Sequence, residues 1–170
     1  MSQSLILAPE RPHAQHDVSQ FDNDKHPSLD AWLKNRALGS EGMSAGTYVI
    51  CARDAPLRVV GYYAISTAME QLISLPNAKV RQAMPDQAPL LLIGRLAVDR
   101  QYQRKGLGAD LLLDGVRRCL EVSEIAGVHA IITHANDDDA VRFYRHHGFL
   151  RSPLGDRVML LRIEAVRAFT

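Results

Sequence analysis

The stretch from Leu90 to Leu113 constrains this chain more than any other; with Pro89 it reads PLLLIGRLAVDRQYQRKGLGADLLL. An apolar run ends at Val98, a short basic loop follows, and Gly106 to Gly108 open a helix. A strand that feeds a glycine-bearing loop into a helix N-terminus makes an anion site, because the first-turn amides have no partners inside the helix. Gly106 and Gly108 let the backbone approach a phosphate with no Cβ in the way, and Arg104 and Lys105 add positive charge beside it. The run Leu90–Val98 is mostly apolar without strict alternation, which predicts a central strand covered on both faces.

Three phosphate-binding patterns compete for this loop. A nucleoside triphosphate loop needs a Lys-Ser/Thr pair after its last glycine, and here Gly108 is followed by Ala109-Asp110. A dinucleotide fingerprint needs a third small residue where this chain has Leu111. Gln103-Arg104-Lys105-Gly106-Leu107-Gly108 fits the third, Gln/Arg-x-x-Gly-x-Gly/Ala, directly after Leu96-Ala97-Val98-Asp99. A tight strand-to-helix turn with no ligand is the plain alternative for the hexapeptide alone.

At 170 residues the chain suits a single domain over residues 1–170 with a sizeable core, and its 46% hydrophobic and 23% charged content are those of a globular protein. A formal net charge of +1 neither demands nor excludes a nucleic-acid partner, so any such partner must be argued from a local patch. Cys51 and Cys119 lie far apart with no metal spacing, which reads as buried free thiols in a reducing cytoplasm. The apolar run near the N-terminus is too short for a signal peptide, and no stretch approaches a membrane span.

Along the chain, Leu5 to Ala8 reads as a short strand and Ser28 as the N-cap of a helix striped by Leu29, Trp32, Leu33 and Leu38 and stopped at Gly39. Thr47–Ala52 and Arg58–Thr67 predict a hairpin turning at Asp54-Ala55-Pro56, followed over residues 70 to 89 by an irregular connection with a short helix. A helix from Gly108 to Ala126 with Leu111, Leu112, Val116, Cys119, Leu120 and Val122 inward, then a strand His129–His134, complete a βαβ unit. A last helix, Ala140 to His147, is entered through Asn136–Asp139 and capped by Gly148; Arg157–Ile163 forms the closing strand.

The loop pattern, together with Asn136 and the run Ala140-Val141-Arg142-Phe143-Tyr144-Arg145-His146-His147-Gly148-Phe149, resembles the GNAT N-acetyltransferases, whose corresponding helix ends in Phe-Tyr-x-x-x-Gly-Phe. The resemblance is close from Leu90 to Ile163 and, upstream, extends to the order of elements. It implies an α+β (α/β) GNAT fold: a mixed, mostly antiparallel sheet with one splayed parallel strand pair, flanked by helices. It also implies acetyl-CoA as acetyl donor, with the pantetheine arm in the splay. Leu96, Ala97 and Val98 would line the arm, and Gln103, Arg104, Lys105, Gly106, Leu107 and Gly108 would cradle the pyrophosphate. Asn136 and Tyr144 complete the implied cofactor set.

Tyr144 is the residue implied as catalytic proton donor: a phenol of pKa about 10 keeps its proton at neutral pH and can share it with a departing thiolate. Packing of its ring in the core is the alternative. Phe143 and Phe149 read as packing residues. The strand Leu90–Val98 carries no carboxylate before Asp99, whereas many GNAT enzymes acting on lysine place a glutamate base there. A lysine amine of pKa about 10.4 needs a base, while an α-amine of about 8 is partly neutral already, so the missing base favours an α-amine acceptor. Water, His134 or Asp137 are the remaining candidates for that role.

Gly94-Arg95-Leu96-Ala97-Val98-Asp99, the helix entry Gly106–Leu112, and Phe21-Asp22 followed by Leu29-Asp30-Ala31-Trp32-Leu33 are similar to the GNAT toxins of bacterial toxin–antitoxin modules. That similarity implies acetylation of the α-amine of aminoacyl-tRNA, a block to translation, a ribbon-helix-helix antitoxin and a homodimer in the cytoplasm. Candidate tRNA contacts are Lys34 and Arg36 on the first helix, Lys79 and Arg81 in the connection, Arg95, and Arg142 with Arg145 on the last helix; a solvated face is the alternative for each. No histidine pair has ligand spacing, so no metal is expected. A GNAT enzyme of a small amine such as a polyamine or antibiotic, and a non-catalytic acyl-CoA-binding module, are the competing functions.

Overall fold

The computed structural model of this chain describes residues 5–68 and 89–168. The chain divides into two compact units, Met1–Ile65 with Gly94–Gly115 and Ser66–Ile93 with Val116–Thr170. The elements are α1 (Pro27–Asn35), α2 (Ala37–Ser40), β1 (Gly46–Ala52), β2 (Ala55–Thr67), β3 (Leu90–Val98), a 3-10 turn (Arg100–Tyr102), α3 (Leu107–Ile125), β4 (Ala130–His134), α4 (Asp138–His146), β5 (Leu150–Arg151), β6 (Val158–Arg162) and α5 (Ile163–Arg167). Strands are hydrogen-bonded in the order β1-β2-β3-β4-β6-β5, mostly antiparallel with one parallel pair, β3–β4, as the sequence predicts.

In the first unit, β1 and β2 form the expected antiparallel hairpin, with Tyr48 opposite Tyr63 and a register shift between Ile50 and Ala52. The turn falls at Arg53-Asp54, overlapping the expected one, and β2 begins at Ala55, three residues before the expected Arg58, because Pro56 is tolerated at the start of a strand. Alternation along β2 then sorts its residues between two helices. Tyr62 enters a buried apolar cluster with Leu29 and Leu33 of α1, and its hydroxyl donates to Leu29 O at 2.7 Å. Gly61 and Tyr63 point to the opposite face, towards α3. A Cβ at Gly61 would stand 2.9 Å from Ile50 Cδ1 and 3.1 Å from Leu111 Cδ1, so glycine is what allows that helix to sit so close. Tyr63 donates a hydrogen bond to Asp114 on the same helix.

Three N-terminal expectations are corrected. Leu5 to Ala8 is not a strand: Ile6 and Glu10 make isolated bridges to Ala52 and Val49, and Pro9 between them has no N–H with which to continue a ladder. Ser28 lies inside α1 rather than capping it. The helix starts at Pro27, whose fixed φ suits the first turn, after His26. Asn23 organises this entry, accepting from His26 N at 2.9 Å while its amide donates to His26 O and to Asp30 Oδ1, each at 2.6 Å. The helix also breaks at Arg36, so Leu38 falls on α2 and is exposed instead of completing the stripe.

In the second unit, Leu90, Leu91 and Leu92 pair in parallel with Ala130, Ile131 and Ile132, and β4 pairs antiparallel with β6 over its whole length. The parallel ladder stops there: the Ile93 carbonyl is taken by the Thr133 hydroxyl at 2.8 Å. Ala68, Leu90, Leu92, Ala130, Ile132, Leu154 and Val158 form this unit's buried cluster. On α3 the inward stripe ends sooner than expected, Val122 being exposed. The short strand β5 and the helix α5 carry too little periodicity to be read in advance. The expected connection over residues 70 to 89 lies, up to residue 88, outside the described residues.

Candidate active site

At the end of β3, Ala97 and Val98 are buried and Leu96 is half-buried. The chain turns there on Asp99, which is 1% exposed. One carboxylate oxygen accepts from Gln101 N at 2.9 Å and the other from Asp22 N at 3.1 Å, with Arg58 at 3.9 Å. Each oxygen thus takes a backbone amide, so Asp99 shapes the loop. The Gln103 side chain folds back onto the backbone: its amide donates to Val98 O and Asn23 O, both at 2.9 Å. Together Asp22, Asn23, Asp99 and Gln103 clamp the loop that carries the glycines.

The loop backbone takes unusual shapes where the sequence pattern requires them. Gly106 has φ +81°, and Arg104 adopts φ +62°, a strained value for a side chain with a Cβ. The helical ladder of α3 begins with Asp110 N donating to Gly106 O at 3.1 Å, which leaves the amides of Leu107, Gly108 and Ala109 outside it. Leu107 is buried and anchors the first turn, while Arg104 and Lys105 are exposed. Free amides at the positive end of a 19-residue helix, flanked by two cations, suit a pyrophosphate.

The second unit presents the other predicted residues. At the end of β4, His134 is followed by Ala135, Asn136 and Asp137, and Asp137 caps α4 by accepting from Ala140 N at 2.7 Å. Asn136 is exposed, and its carbonyl accepts from Arg157 at 3.4 Å. Tyr144 is buried between Phe143 and Phe149, with ring centroids 5.2 and 5.5 Å away, and Gly148 closes the helix with φ +94°. Burial pushes its phenol above the ordinary value, and a hydrogen bond with the Thr133 side chain pulls the other way. The His134 imidazole is held below its usual range by burial and is therefore neutral at pH 7.

The predicted tRNA residues differ in their surroundings. Lys34 and Arg36 are exposed at the end of α1. Arg95, half-buried on β3, stacks its guanidinium 4.4 Å over the Trp32 ring. Arg142 pairs with Asp139 one turn earlier on α4, a surface pair of small energetic consequence. Arg145 is exposed on α4, and Lys79 and Arg81 lie outside the described residues. Sequence reasoning overlooked the roles of Asn23 and Thr133; Asn23 beside Asp22, seven residues before Asp30, was the one available sign of a helix-entry knot.

Glu10, His16 and Cys51 bring ligand-type atoms within 4.8 Å of one another. His16 Nδ1 accepts from His13 N at 3.0 Å, which places the ring proton on Nε2, facing Glu10 Oε1 at 2.7 Å. A metal at Nε2 would have to displace that proton, and the Cys51 thiol is pushed up to about 11 by burial. The trio is therefore a hydrogen-bonded knot beside a protonated thiol.

Residues 45–151 match the model of the acetyltransferase (GNAT) domain family. The tRNA-acetylating toxin of Mycobacterium tuberculosis (strain ATCC 25618 / H37Rv) is 38% identical over 161 residues, covering 95% of each chain. Among solved structures, AtaT complexed with acetyl-methionyl-tRNAfMet superposes with a TM-score of 0.79 at 22% identity, covering 97% of this chain and 98% of AtaT. A mutant of the AtaT toxin bound to the C-terminus of the antitoxin AtaR and acetyl-CoA gives 0.76 at 21% identity, covering 96% and 97%. With its loop, its Phe-Tyr-x-x-x-Gly-Phe helix, its sheet order and these matches, the chain belongs to the GNAT acetyltransferase family.

Proposed function

We propose that this protein is a toxin that transfers the acetyl group of acetyl-CoA to the α-amine of aminoacyl-tRNA and so blocks translation. The observation that carries this reading is 38% identity, over 95% of both chains, to a tRNA-acetylating toxin. The geometry agrees with an α-amine acceptor. The only carboxylate on or just after β3 is Asp99, and its oxygens are engaged by backbone amides, so this strand supplies no base for a protonated lysine. An α-amine of pKa about 8 needs little help.

In the reaction the neutral amine attacks the thioester carbonyl, the C–S bond breaks, and CoA leaves as a thiolate that takes up a proton. Tyr144 supplies it, or shares it in the transition state, because burial keeps the phenol protonated at neutral pH. The proton shed by the amine passes to water or to the neutral His134. Leu96, Ala97 and Val98 line the pantetheine arm, and Asn136 lies at the entry to the tyrosine helix. The first-turn amides of α3, with Arg104 and Lys105, hold the pyrophosphate. A ribbon-helix-helix antitoxin is the neutralising partner, and the protein works as a homodimer in the cytoplasm; no described helix is long and apolar enough to cross a membrane.

Incubation with acetyl-CoA and charged tRNA should yield N-acetylated aminoacyl ends, while uncharged tRNA stays unmodified. Expression without the antitoxin should arrest growth. Inert charged tRNA beside efficient acetylation of spermidine or an aminoglycoside would replace this reading with a small-amine acetyltransferase.

A further inference from the structure

Arg95 stands out among the described cations by what it lacks. It is half-buried in the middle of β3, yet makes no ion pair or hydrogen bond among the described residues; its partner is the face of Trp32, 4.4 Å away. Buried or half-buried guanidinium N–H groups are normally satisfied, and stacking on an aromatic face leaves the five donors of the planar fork unused around its edge. The stack is rigid from below. Trp32 lies nearly parallel to Tyr62, with 5.8 Å between centroids and 9° between planes, and Tyr62 is fixed by its bond to Leu29 O.

Among the described residues, the surrounding charges leave this fork available. Asp30, on the turn before Trp32, is bound to the Asn23 amide and backbone. Arg36, one turn after Trp32, is exposed, as is Lys34. Ala97, two residues along the same face of β3 as Arg95, is buried in the apolar cluster of α1, so the guanidinium sits at the cluster's margin. Arg95 also precedes Asp99 by four residues, about 13 Å along an extended strand, well back from the amides that suit a pyrophosphate.

The geometry points to Arg95, pre-aimed by Trp32, as a subsite for a phosphate of the tRNA acceptor end, with Arg36 and Lys34 extending the same positive strip. A planar fork held edge-out takes two phosphate oxygens at once, which a lysine ammonium cannot do. This subsite rests on the aminoacyl-tRNA reading and adds to it a recognition element built from α1 and β3. Trp32 acts here as a positioning residue.

The test is steady-state kinetics with charged tRNA and acetyl-CoA varied separately, over a range of salt. Arg95→Gln should raise KM for charged tRNA about tenfold to a hundredfold, the range of one lost charged hydrogen-bonding partner. It should leave KM for acetyl-CoA unchanged and make the dependence of log kcat/KM on log salt shallower by about 0.7–0.9. Arg95→Lys should keep the salt slope and still raise KM. Trp32→Leu should behave like Arg95→Lys, and Trp32→Phe should largely restore the wild type. An unchanged acetyl-CoA KM shows that each variant is folded.

An unaltered tRNA KM and salt slope in both Arg95 variants, with an active wild type, overturns the subsite alone. A rise in the acetyl-CoA KM that vanishes with 3′-dephospho-acetyl-CoA assigns the phosphate to the cofactor and overturns the RNA assignment. A wild type inert on charged tRNA overturns the functional reading and this subsite with it.

Discussion

The loop between β3 and α3 and the helix α4 both carry predicted site residues, but they are built on opposite principles. In the proposed reaction the loop works through its backbone: two residues with positive φ, three amides outside a helical ladder, and side chains such as Asp99 and Gln103 that bond back to the backbone to hold the shape. The helix, in the same proposal, works through one side chain, the Tyr144 phenol, which is buried beside Phe149 and Thr133. A backbone site tolerates changes at most side chains and fails when its conformation fails. A side-chain site keeps its shape after the loss of one oxygen and loses its chemistry.

The largest effect should come from the side-chain site. Tyr144→Phe keeps the ring and its packing, so acetyl-CoA affinity should stay near wild type, while turnover drops by about 10²–10⁴, the range for a lost general acid. Growth arrest on expression should be relieved. Burial raises this phenol, so the proton stays bound as pH climbs, and no loss of rate from its ionisation should appear below about pH 10. Equal turnover in the mutant would make Tyr144 a packing residue and abolish the contrast.

Support of the two regions should differ in the same sense. Asp99→Ala orphans two part-buried amides and removes the buried carboxylate beside Arg58, and should lower unfolding stability by about 1–3 kcal/mol, read by urea denaturation. Asp137→Ala removes a helix cap and should lower it by about 1 kcal/mol. Similar values for the two would mean the loop is not specially clamped.

Gly106→Val tests the backbone site directly. A Cβ there meets nothing within 4 Å, so crowding inside the protein is no obstacle; the penalty lies in the positive φ and in the space a phosphate would enter. Acetyl-CoA affinity by calorimetry should fall about tenfold or more with the fold retained, about 1.4 kcal/mol or more in binding free energy. Unchanged affinity would reduce the loop to a turn.

Legibility in the sequence followed the same division. The strand Leu90–Val98 was readable to the residue because a mostly apolar run without strict alternation suits a strand covered on both faces. The glycine pattern announced the loop because positive φ restricts the choice of residue. Ser28 misled as a cap, since cap propensity is local while the observed entry depends on Asn23 reaching His26 and Asp30. The strand expected at Leu5–Ala8 failed for a similar reason, its two bridges being separated by Pro9.

By itself, then, the order of residues determined what repeats or is sterically unique: the apolar strands, the helix α3, the glycine loop and the Phe-Tyr-x-x-x-Gly-Phe helix. Tertiary structure alone decided which polar groups are occupied and which remain available. Asp99 turned out to accept the amides of Asp22 and Gln101, and Arg142 found Asp139 one turn away. Arg95, on a strand with no carboxylate of its own, met an indole and, among the described residues, no ion-pair or hydrogen-bond partner. The physical reason is range: periodicity and φ preferences act within a few residues, whereas hydrogen-bond satisfaction and desolvation depend on neighbours that only folding brings within about 3 Å.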